Sequence, residues 1–465
     1  MRWPNDDALY QLFLRRDPAN NGRFLTGVLS TGIYCLPSCP ARRPLRQNVR
    51  FFRTPEEAVS TGLRPCRRCH PDAFYRGEEW HENLFEKTAA RARNNPADFR
   101  DIADLARTSG LSRTALNDLF RNHAQESPAA FLRRIRVHFA ARLLAEGARP
   151  LDAAAASGFG SSSTFHQQFA AYTAMTPSAY SEVRNGASFT LQLPANYSDK
   201  EVLAFHGRDP NQISERVTAT SIQKCVGNAV LEIRFADRAA HCSAAGMHGP
   251  GAHRLAIRML GLGQDASGFA RQFASDPLLG PLIQQRPGLR IPQTATPWEG
   301  LAWAIIGQQI GLAFAISMRS RLIALAGSKH PTGLISHPDP AAVARLDATD
   351  LRALQFSKSK ADYLLEAARR IAAGELDVDN LRNLSAKHAA RLLGSLRGVG
   401  PWTIDYMFLR GLGFPDSLPS GDAGIAQAIQ RLTGERPADK AIRALAERFS
   451  PHRSLAAAHL WASLH

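Results

Sequence analysis

Two pairs of cysteines near the start of the chain constrain its fold more than any other feature. Cys35 and Cys39 form the first pair, Cys66 and Cys69 form the second, and all four lie within 35 residues. Two close pairs of thiols separated by a loop are typical of one zinc ion held by four thiolates in a tetrahedron. We therefore expect a small zinc-stabilised domain, and no disulfides are expected because a reducing compartment would not preserve them.

Length and charge indicate several domains and a polyanionic partner. A chain of 465 residues suggests roughly three or four domains of about 100 to 200 residues each. The formal net charge is +16 at pH 7, and DNA binds such a protein by releasing counterions. An Arg-rich proteome is the alternative source of this charge. The chain shows no apolar run of membrane-spanning length and no secretory signal, so we expect a soluble cytosolic protein without a membrane partner.

The cysteine segment is itself strongly basic, with nine arginines and only three acidic residues between Thr31 and Arg76. Such a segment suits contact with DNA phosphates. Its two motifs are Thr31-Gly-Ile-Tyr-Cys-Leu-Pro-Ser-Cys-Pro-Ala-Arg42 and Arg64-Pro-Cys-Arg-Arg-Cys-His-Pro71. Over roughly residues 1–76 these motifs resemble the methylphosphotriester-accepting domain of the Ada family of adaptive-response regulators.

The resemblance to the Ada family implies that one thiolate is reactive. Cys35 matches the zinc-bound cysteine that takes a methyl group irreversibly from a phosphotriester, and Cys39, Cys66 and Cys69 match the other zinc ligands. Zinc keeps thiols deprotonated at neutral pH, and methylation removes one negative charge, which should strengthen binding to DNA. Thr31 and Arg42 match positions that approach the phosphate in that family. A purely structural zinc site without methyl transfer is the alternative.

Residues from about 79 to 183 show helical periodicity with one clear helix-turn-helix. The first helix is predicted over 102–108, the turn over 109–111, and the second helix over 112–120 with Ser112 as its N-cap. A long helix through 133–144 then leads to a second helix-turn-helix over 151–169. The side chains that the first motif would present to DNA are Ser112, Arg113, Thr114 and Asn117.

The two motifs together resemble the AraC-type DNA-binding domain, which carries two helix-turn-helix units on one connecting helix. Gly158-Phe159 and Thr176-Pro-Ser-Ala-Tyr180 carry this resemblance. The second unit departs from the family pattern, because its recognition helix offers His166, Gln167 and Gln168 in place of Arg or Lys. The resemblance implies promoter DNA as a partner, with RNA polymerase as a further candidate. A generic helical hairpin is the alternative for each unit taken alone.

Ada regulators also carry an O6-alkylguanine methyltransferase with a Pro-Cys-His-Arg motif, and no such motif occurs after residue 80. That activity is therefore not predicted. The two later cysteines, Cys225 and Cys242, stand in no recognisable metal or nucleophile motif. We expect both to be structural.

The C-terminal half passes from strand patterns to helix patterns. Alternating segments at 189–193 and 229–235 predict a small mixed α/β domain, and helical periodicity returns from Thr296. Gly398-Val399-Gly400 then predicts a tight hairpin between two helices, because glycine tolerates positive φ and lets a phosphate approach closely. Asp422 lies twenty-two residues beyond Gly400.

This spacing of hairpin and acid resembles the helix-hairpin-helix glycosylase superfamily. Over about residues 188–465 the chain is similar to its 3-methyladenine DNA glycosylase II (AlkA) family, in segments that include Gly307-Gln308-Gln309, Ser357-Lys-Ser-Lys360 and His459-Leu-Trp461. The resemblance implies that a damaged base is flipped into a pocket. The pocket aromatics would be Trp402, Tyr406, Trp461 and, by a looser match, Phe205. Ordinary core positions are the alternative for these rings.

The same resemblance assigns roles at the reacting bond and on the DNA. Asp422 would stabilise the oxocarbenium-like sugar or orient the attacking water, with a simple helix N-cap as the alternative. Trp402 stands where bifunctional relatives carry a Schiff-base lysine, so we expect a monofunctional enzyme that needs no cofactor for its glycosylase chemistry. Gln309 matches the residue that enters the duplex. Gly398 and Gly400 would let the hairpin hold a phosphate.

The sequence thus predicts a multidomain chain, mainly α with α+β parts, in four domains. These are a four-cysteine zinc domain (1–78), a helix-turn-helix domain (79–183), a mixed α/β domain (188–285) and a helix-hairpin-helix glycosylase domain (286–465). The expected function is excision of alkylated bases from double-stranded DNA, combined with methyl acceptance and transcription activation, in the cytoplasm and associated with the nucleoid. Two alternatives remain, a regulator whose glycosylase half only binds DNA and a glycosylase whose zinc site is purely structural.

Overall fold

The computed structural model describes residues 3–464, which form two compact units divided between Lys87 and Thr88. Helices predominate and two small sheets accompany them, which confirms the predicted multidomain, mainly α architecture. Within the described residues no helix is long and apolar enough to cross a membrane. The four predicted domain boundaries stay predictions.

The first unit is built on a four-stranded sheet of order β3-β1-β2-β4. Its strands are β1 (Leu25–Val28), β2 (Ile33–Cys35), β3 (Val49–Phe52) and β4 (Arg64–Pro65). β1 pairs antiparallel with β2 and β3, whereas β2 pairs parallel with β4. Its helices are α1 (Asp6–Arg15), α2 (Pro55–Ser60) and α3 (Pro71–Tyr75), and α4 (Trp80–Asn94) runs across the division between the units.

The second unit begins with the helix-turn-helix segment. Its helices are α5 (Ile102–Thr108), α6 (Arg113–Ala124), α7 (Pro128–Ala145), α8 (Pro150–Ala156), α9 (Ser162–Thr173) and α10 (Pro177–Glu182). The Ser112 hydroxyl accepts the Ala115 N–H at 3.2 Å and so caps α6. Both predicted helix-turn-helix motifs, including the Ser112 cap, are therefore confirmed.

A five-stranded antiparallel sheet of order β5-β9-β8-β7-β6 follows. Its strands are β5 (Ser188–Gln192), β6 (Glu215–Val217), β7 (Ser221–Val226), β8 (Ala229–Ala236) and β9 (Ala239–Ala245). The helices of this region are α11 (Asp199–His206), α12 (Gly249–Met259), α13 (Ala266–Phe273) and α14 (Leu279–Gln285). Phe169 and Tyr180 of the helix-turn-helix segment belong to the same buried cluster as Phe189 and Leu231 of the sheet. The core is thus continuous across the predicted boundary near residues 183–188.

The remaining chain is helical. It contains α15 (Pro297–Ile306), α16 (Leu312–Ala326), α17 (Pro340–Ala344), α18 (Ala348–Ala353), α19 (Lys358–Ala372), α20 (Ala386–Gly394), α21 (Pro401–Tyr406), α22 (Ala423–Thr433), α23 (Asp439–Ala446) and α24 (Arg453–Ala462). A π-helical segment, Met407–Leu412, continues α21. Two buried clusters hold these helices together, one around Trp298 and Phe414 and the other around Ile425 and Leu460.

A buried group of charges joins the sheet to these helices. The Lys224 ammonium on β7 lies 2.8 Å from a carboxylate oxygen of Glu215 and 2.9 Å from one of Glu299 on α15. The Arg319 guanidinium on α16 pairs with the same two carboxylates at 3.0 and 2.8 Å. This buried group therefore connects β6 and β7 of the sheet with α15 and α16.

Candidate functional site

The four predicted zinc ligands lie together in the first unit. The Sγ atoms of Cys35, Cys39, Cys66 and Cys69 all lie within 4.8 Å of one another. Strand pairing brings the two cysteine pairs together, since Cys35 ends β2, Cys66 follows β4, and the Cys66 N–H donates to the Tyr34 carbonyl at 2.9 Å. Zinc fits this donor set, because Zn–S bonds of about 2.3 Å in a tetrahedron place sulfurs about 3.8 Å apart.

Backbone N–H groups contact several of these sulfurs. The Leu36 N–H donates to the Cys69 sulfur at 3.3 Å, and the Arg68 N–H donates to the Cys66 sulfur at 3.4 Å. Hydrogen bonds with Cys35 and, to a smaller degree, with the Ala41 backbone lower the pKa of Cys39. Within residues 3–464 no N–H donor contacts the Cys35 sulfur.

The two predicted phosphate-contacting residues lie on either side of the first cysteine pair, Cys35 and Cys39, in the chain. Thr31 is exposed in the turn between β1 and β2, and its hydroxyl donates to the Val28 carbonyl at 3.3 Å. Arg42 is exposed three residues after Cys39. Arg16 steadies the segment before Arg42, because it donates to the Ala41 carbonyl at 2.6 Å.

The helix-turn-helix side chains lie at the start of α6. Ser112, Arg113 and Thr114 are exposed, whereas Asn117 is half-buried. In the second motif His166 and Gln167 are exposed on α9. The predicted DNA-binding residues are therefore placed at a helix start that is open to a ligand, and their contacts with DNA remain predictions.

Asp422 is the centre of a set of hydrogen bonds in the helical part. It is the N-cap of α22, where its Oδ1 accepts the Ile425 N–H at 2.9 Å. The same Oδ1 accepts the Trp461 indole N–H at 2.9 Å, and Oδ2 accepts the Trp402 indole N–H at 2.8 Å. The cap and the candidate catalytic group are thus one carboxylate, held in orientation by donors from α21, α22 and α24.

Three of the predicted pocket aromatics, Trp402, Tyr406 and Trp461, are half-buried and lie close to Asp422. Trp402 and Tyr406 are stacked, with ring centroids 5.4 Å apart and an interplanar angle of 27°. Tyr406 and Trp461 lie 6.2 Å apart at 51°. Such rings offer π-faces to a cationic base.

Phe205 has a different environment. The Arg410 guanidinium lies 4.3 Å from its ring centroid, and the Arg208 guanidinium lies 4.2 Å from it. Arg410 also lies 5.6 Å from the Trp461 ring, so it connects Phe205 to the other aromatics. Neither arginine was predicted from the sequence, although Arg410 follows Tyr406 by four residues, a spacing that places two side chains on one face of a helix.

The predicted hairpin is present. Gly398 has φ +77°, and a Cβ there would lie 2.2 Å from the Tyr363 ring, so glycine is required. Gly400 has an ordinary φ of −97° and caps α21, and a Cβ there would meet no atom within 4 Å. Gly400 therefore leaves open space at the start of α21 without backbone strain, and its contact with a phosphate stays a prediction.

The Gly307-Gln308-Gln309 segment lies against this hairpin. The Gln308 side-chain amide donates to the Gly398 carbonyl at 2.9 Å and to the Thr403 hydroxyl at 3.0 Å. Gln309 is exposed with φ 54°. Gln308, which the sequence analysis did not single out, therefore ties the predicted duplex-entering segment to the hairpin.

The two remaining cysteines are buried away from these sites. Cys225 is 1% exposed and Cys242 is 3% exposed. Burial raises the pKa of Cys242 to about 12, which keeps its thiol protonated at neutral pH. Nothing in their surroundings suggests a nucleophile.

Comparison with known proteins supports the same modules. Family models match for the metal binding domain of Ada over residues 8–72, for a helix-turn-helix domain over 105–182, and for the HhH-GPD superfamily of base excision DNA repair proteins over 302–451. The chain is 29% identical to a probable bifunctional transcriptional activator/DNA repair enzyme AlkA of Mycobacterium tuberculosis, over 98% of this chain and 96% of that protein. The predicted combination of modules is thereby confirmed.

A second relative decides the family. The DNA-3-methyladenine glycosylase of Bacillus subtilis is 31% identical over 44% of this chain and 69% of its own length. The chain belongs to the DNA-3-methyladenine glycosylase family. This member of that family is a DNA glycosylase of the HhH-GPD superfamily. Over 59% of this chain the fold is similar to that of the 3-methyladenine DNA-glycosylase from Archaeoglobus fulgidus, with a TM-score of 0.54, 21% identity, and coverage of 97% of that chain.

Proposed function

We propose that the protein hydrolyses the N-glycosidic bond of 3-methyladenine and related alkylated bases in double-stranded DNA. The observation that carries this proposal is the Asp422 carboxylate, held by the Trp402 and Trp461 indoles beside the stacked ring of Tyr406. One group for a developing positive charge thus lies beside several rings that could stack on a flipped base.

The reaction follows from these groups. Alkylation at N3 or N7 makes the base cationic, so it is attracted to the aromatic faces and is a good leaving group. When the C1′–N bond breaks, its electron pair stays with the base and positive charge develops on the sugar. The Asp422 carboxylate lies ready to stabilise that charge, and water then adds at C1′. Trp402 cannot form a Schiff base, so the product is an abasic site in an uncut strand.

The test is single-turnover release of 3-methyladenine by the wild type and by Asp422→Asn. Asparagine still caps a helix, so the variant is expected to keep α22 and to fold. We expect release to fall by about 100-fold or more, because a charge that stabilises the transition state is lost. Strand breaks should appear only after alkali. If Asp422→Asn still releases 3-methyladenine at the wild-type rate, Asp422 is not the catalytic carboxylate. If the wild type folds and binds DNA but releases no base, the protein is instead a regulator whose glycosylase half only binds DNA.

We also propose that Cys35 accepts a methyl group from a DNA methylphosphotriester, with one zinc ion held by Cys35, Cys39, Cys66 and Cys69. Bound zinc would keep the sulfurs deprotonated at neutral pH. The Cys35 sulfur then forms a bond to the methyl carbon, the methyl C–O bond breaks, and its electron pair leaves a phosphodiester anion. The lack of an N–H donor on this sulfur within residues 3–464, against donors on Cys66 and Cys69, supports Cys35 as the nucleophile.

Mass spectrometry after incubation with methylphosphotriester DNA tests this second activity. We expect one S-methyl group, at Cys35, and no methylation of Cys242 in the same protein. If the zinc site is intact but Cys35 is not methylated, the metal centre has a purely structural role.

We propose, in addition, that methylation of the protein regulates its binding to promoter DNA. The methylated protein would bind promoter DNA through Ser112, Arg113, Thr114 and Asn117, and would act with RNA polymerase on the nucleoid in the cytoplasm. The exposed start of α6 supports this role. Promoter affinity should rise on methylation, because a negative charge near DNA is lost. Equal affinity before and after methylation would contradict the switch.

A further inference from the structure

Arg410 is a cation placed among the pocket aromatics. It lies on the π-helical segment that continues α21, half-buried, with its guanidinium 4.3 Å from the Phe205 centroid and 5.6 Å from the Trp461 centroid. One Nη atom donates to the Pro292 carbonyl at 2.9 Å. Its Nε is buried without an acceptor, and within residues 3–464 no carboxylate pairs with this guanidinium.

The surroundings of Arg410 make its charge effective. Burial, aided by the nearby Arg208 and opposed by Tyr406, lowers the pKa of Arg410 to about 10, so the group remains protonated at neutral pH. Arg208 adds a second guanidinium 4.2 Å from the Phe205 ring and 4.4 Å from the Trp303 ring. A flipped base that reached Phe205 would therefore meet two cations rather than a free π-face.

We propose that Arg410 is a specificity-determining residue that favours neutral damaged bases with acceptor atoms and disfavours cationic ones. This inference rests on the proposed glycosylase function. Within residues 3–464 one Nη donates to the Pro292 carbonyl and the Nε has no acceptor, so the guanidinium keeps unused N–H donors in its planar fork. A base carbonyl or ring nitrogen is an acceptor of the kind that such donors bind.

The chemistry of departure gives Arg410 a second effect. A cationic base takes the electron pair of the C1′–N bond and leaves neutral, whereas a neutral base takes the same pair and leaves as an anion. A fixed cation in a cleft stabilises that anion. It repels a base that is already positive. Arg410 therefore acts in opposite directions on the two kinds of substrate.

The experiment compares single-turnover release of hypoxanthine, a neutral base with a carbonyl acceptor, and of 7-methylguanine, a cationic base, by the full-length protein. For Arg410→Gln we expect hypoxanthine release to fall about tenfold or more, because a charged hydrogen-bond donor is lost. Release of 7-methylguanine should not fall. Arg410→Lys keeps the positive charge but loses the planar set of donors. We therefore expect this variant to release hypoxanthine more slowly than the wild type. Because the charge remains, it should also release 7-methylguanine more slowly than Arg410→Gln does.

Arg258→Gln is the matched control. Arg258 also donates to backbone carbonyls, those of Thr294 at 3.1 Å and Gly411 at 2.7 Å, and it too has a buried Nε without an acceptor. Within the described part of the chain it contacts none of the pocket rings. Its loss should change both rates by the same factor.

The outcomes separate the inference from the proposed function. A wild type that releases neither of these bases nor 3-methyladenine refutes the glycosylase activity itself. An active wild type whose ratio of hypoxanthine to 7-methylguanine release is unchanged in Arg410→Gln overturns the role of Arg410 and leaves the glycosylase proposal standing. An active wild type that never releases hypoxanthine overturns it as well.

Discussion

The indole N–H of Trp402 donates a 2.8 Å hydrogen bond to the carboxylate of Asp422, across twenty residues of chain. The same ring is stacked on Tyr406. The surface on which a base would lie is therefore joined directly to the carboxylate that would stabilise the sugar. A movement of one is expected to move the other.

Trp402→Phe should separate stacking from this hydrogen bond. Phenylalanine keeps an aromatic face but removes the N–H donor, so we expect the single-turnover rate to fall about tenfold. Trp298→Phe is the control, because the Trp298 indole also makes a 2.8 Å hydrogen bond, to the Pro338 carbonyl, in the buried core. That variant should lose about 1 kcal/mol of unfolding free energy and keep its rate. Equal rates in the two variants would contradict a role for the Trp402 N–H.

Removal of one cysteine from the cluster should release the metal. In Cys39→Ser we expect zinc, measured by elemental analysis, to fall well below one ion per chain, because a hydroxyl is a poor ligand beside three thiolates. The first unit should then unfold at a lower temperature. Cys242→Ser, a change at a cysteine outside the cluster, should retain its zinc. Unchanged zinc in Cys39→Ser would mean that the four sulfurs are not the ligands.

His253 should make the second unit sensitive to acid. Burial lowers the pKa of His253 from 6.5 to about 4, although the Thr173 carbonyl, 2.8 Å away, favours the charged ring. The unfolded chain takes up a proton first as the pH falls, so this residue stabilises the fold above pH 6.5 and loses that contribution between pH 6.5 and 4.

Urea unfolding at several pH values checks this sign. Between pH 7 and pH 5 we expect a loss of about 2 kcal/mol from this one group. His253→Gln does not titrate and should flatten the dependence by that amount. His166→Gln, at an exposed position on α9, should leave the slope as in the wild type. An unchanged slope in His253→Gln would contradict the assignment.

Arg113 should contribute to DNA binding through its charge. It is exposed at the first position of α6. For Arg113→Ala we expect about tenfold weaker promoter binding. The number of counterions released on binding, measured from the dependence of the affinity on salt concentration, should fall by about one. Arg142→Ala, on α7, removes an exposed arginine that lies near Glu146 and should leave both quantities nearly unchanged. Similar losses in the two variants would indicate a diffuse charge effect.

Local patterns made several parts of the molecule predictable. The helix predicted over 102–108 is α5 with the same bounds, and Ser112 caps α6 as its position before an apolar-periodic run indicates. The two cysteine pairs form one cluster, and Gly398 takes the positive φ that the hairpin requires. These features depend on neighbours within a few residues, so the sequence shows them directly.

Contacts between distant segments were not predictable in the same way. Arg410 lies against Phe205 from the far end of the second unit, and Phe169 shares a core with Leu231 across a predicted domain boundary. Such pairs depend on how helices and strands pack, which local sequence patterns do not specify. The aromatic positions were predictable, but their partners were not.

Local sequence patterns predicted the modules, the four-cysteine cluster and the acid at position 422, because cysteine spacing, helix caps and glycine turns are local and chemically specific. The packing of distant segments brings two indoles to that acid and a guanidinium to the Phe205 ring, and no local pattern indicated either contact. The reason is the short range of these contacts. Hydrogen bonds and cation–π contacts act over a few ångströms, and packing alone brings residues so far apart in the chain within that distance.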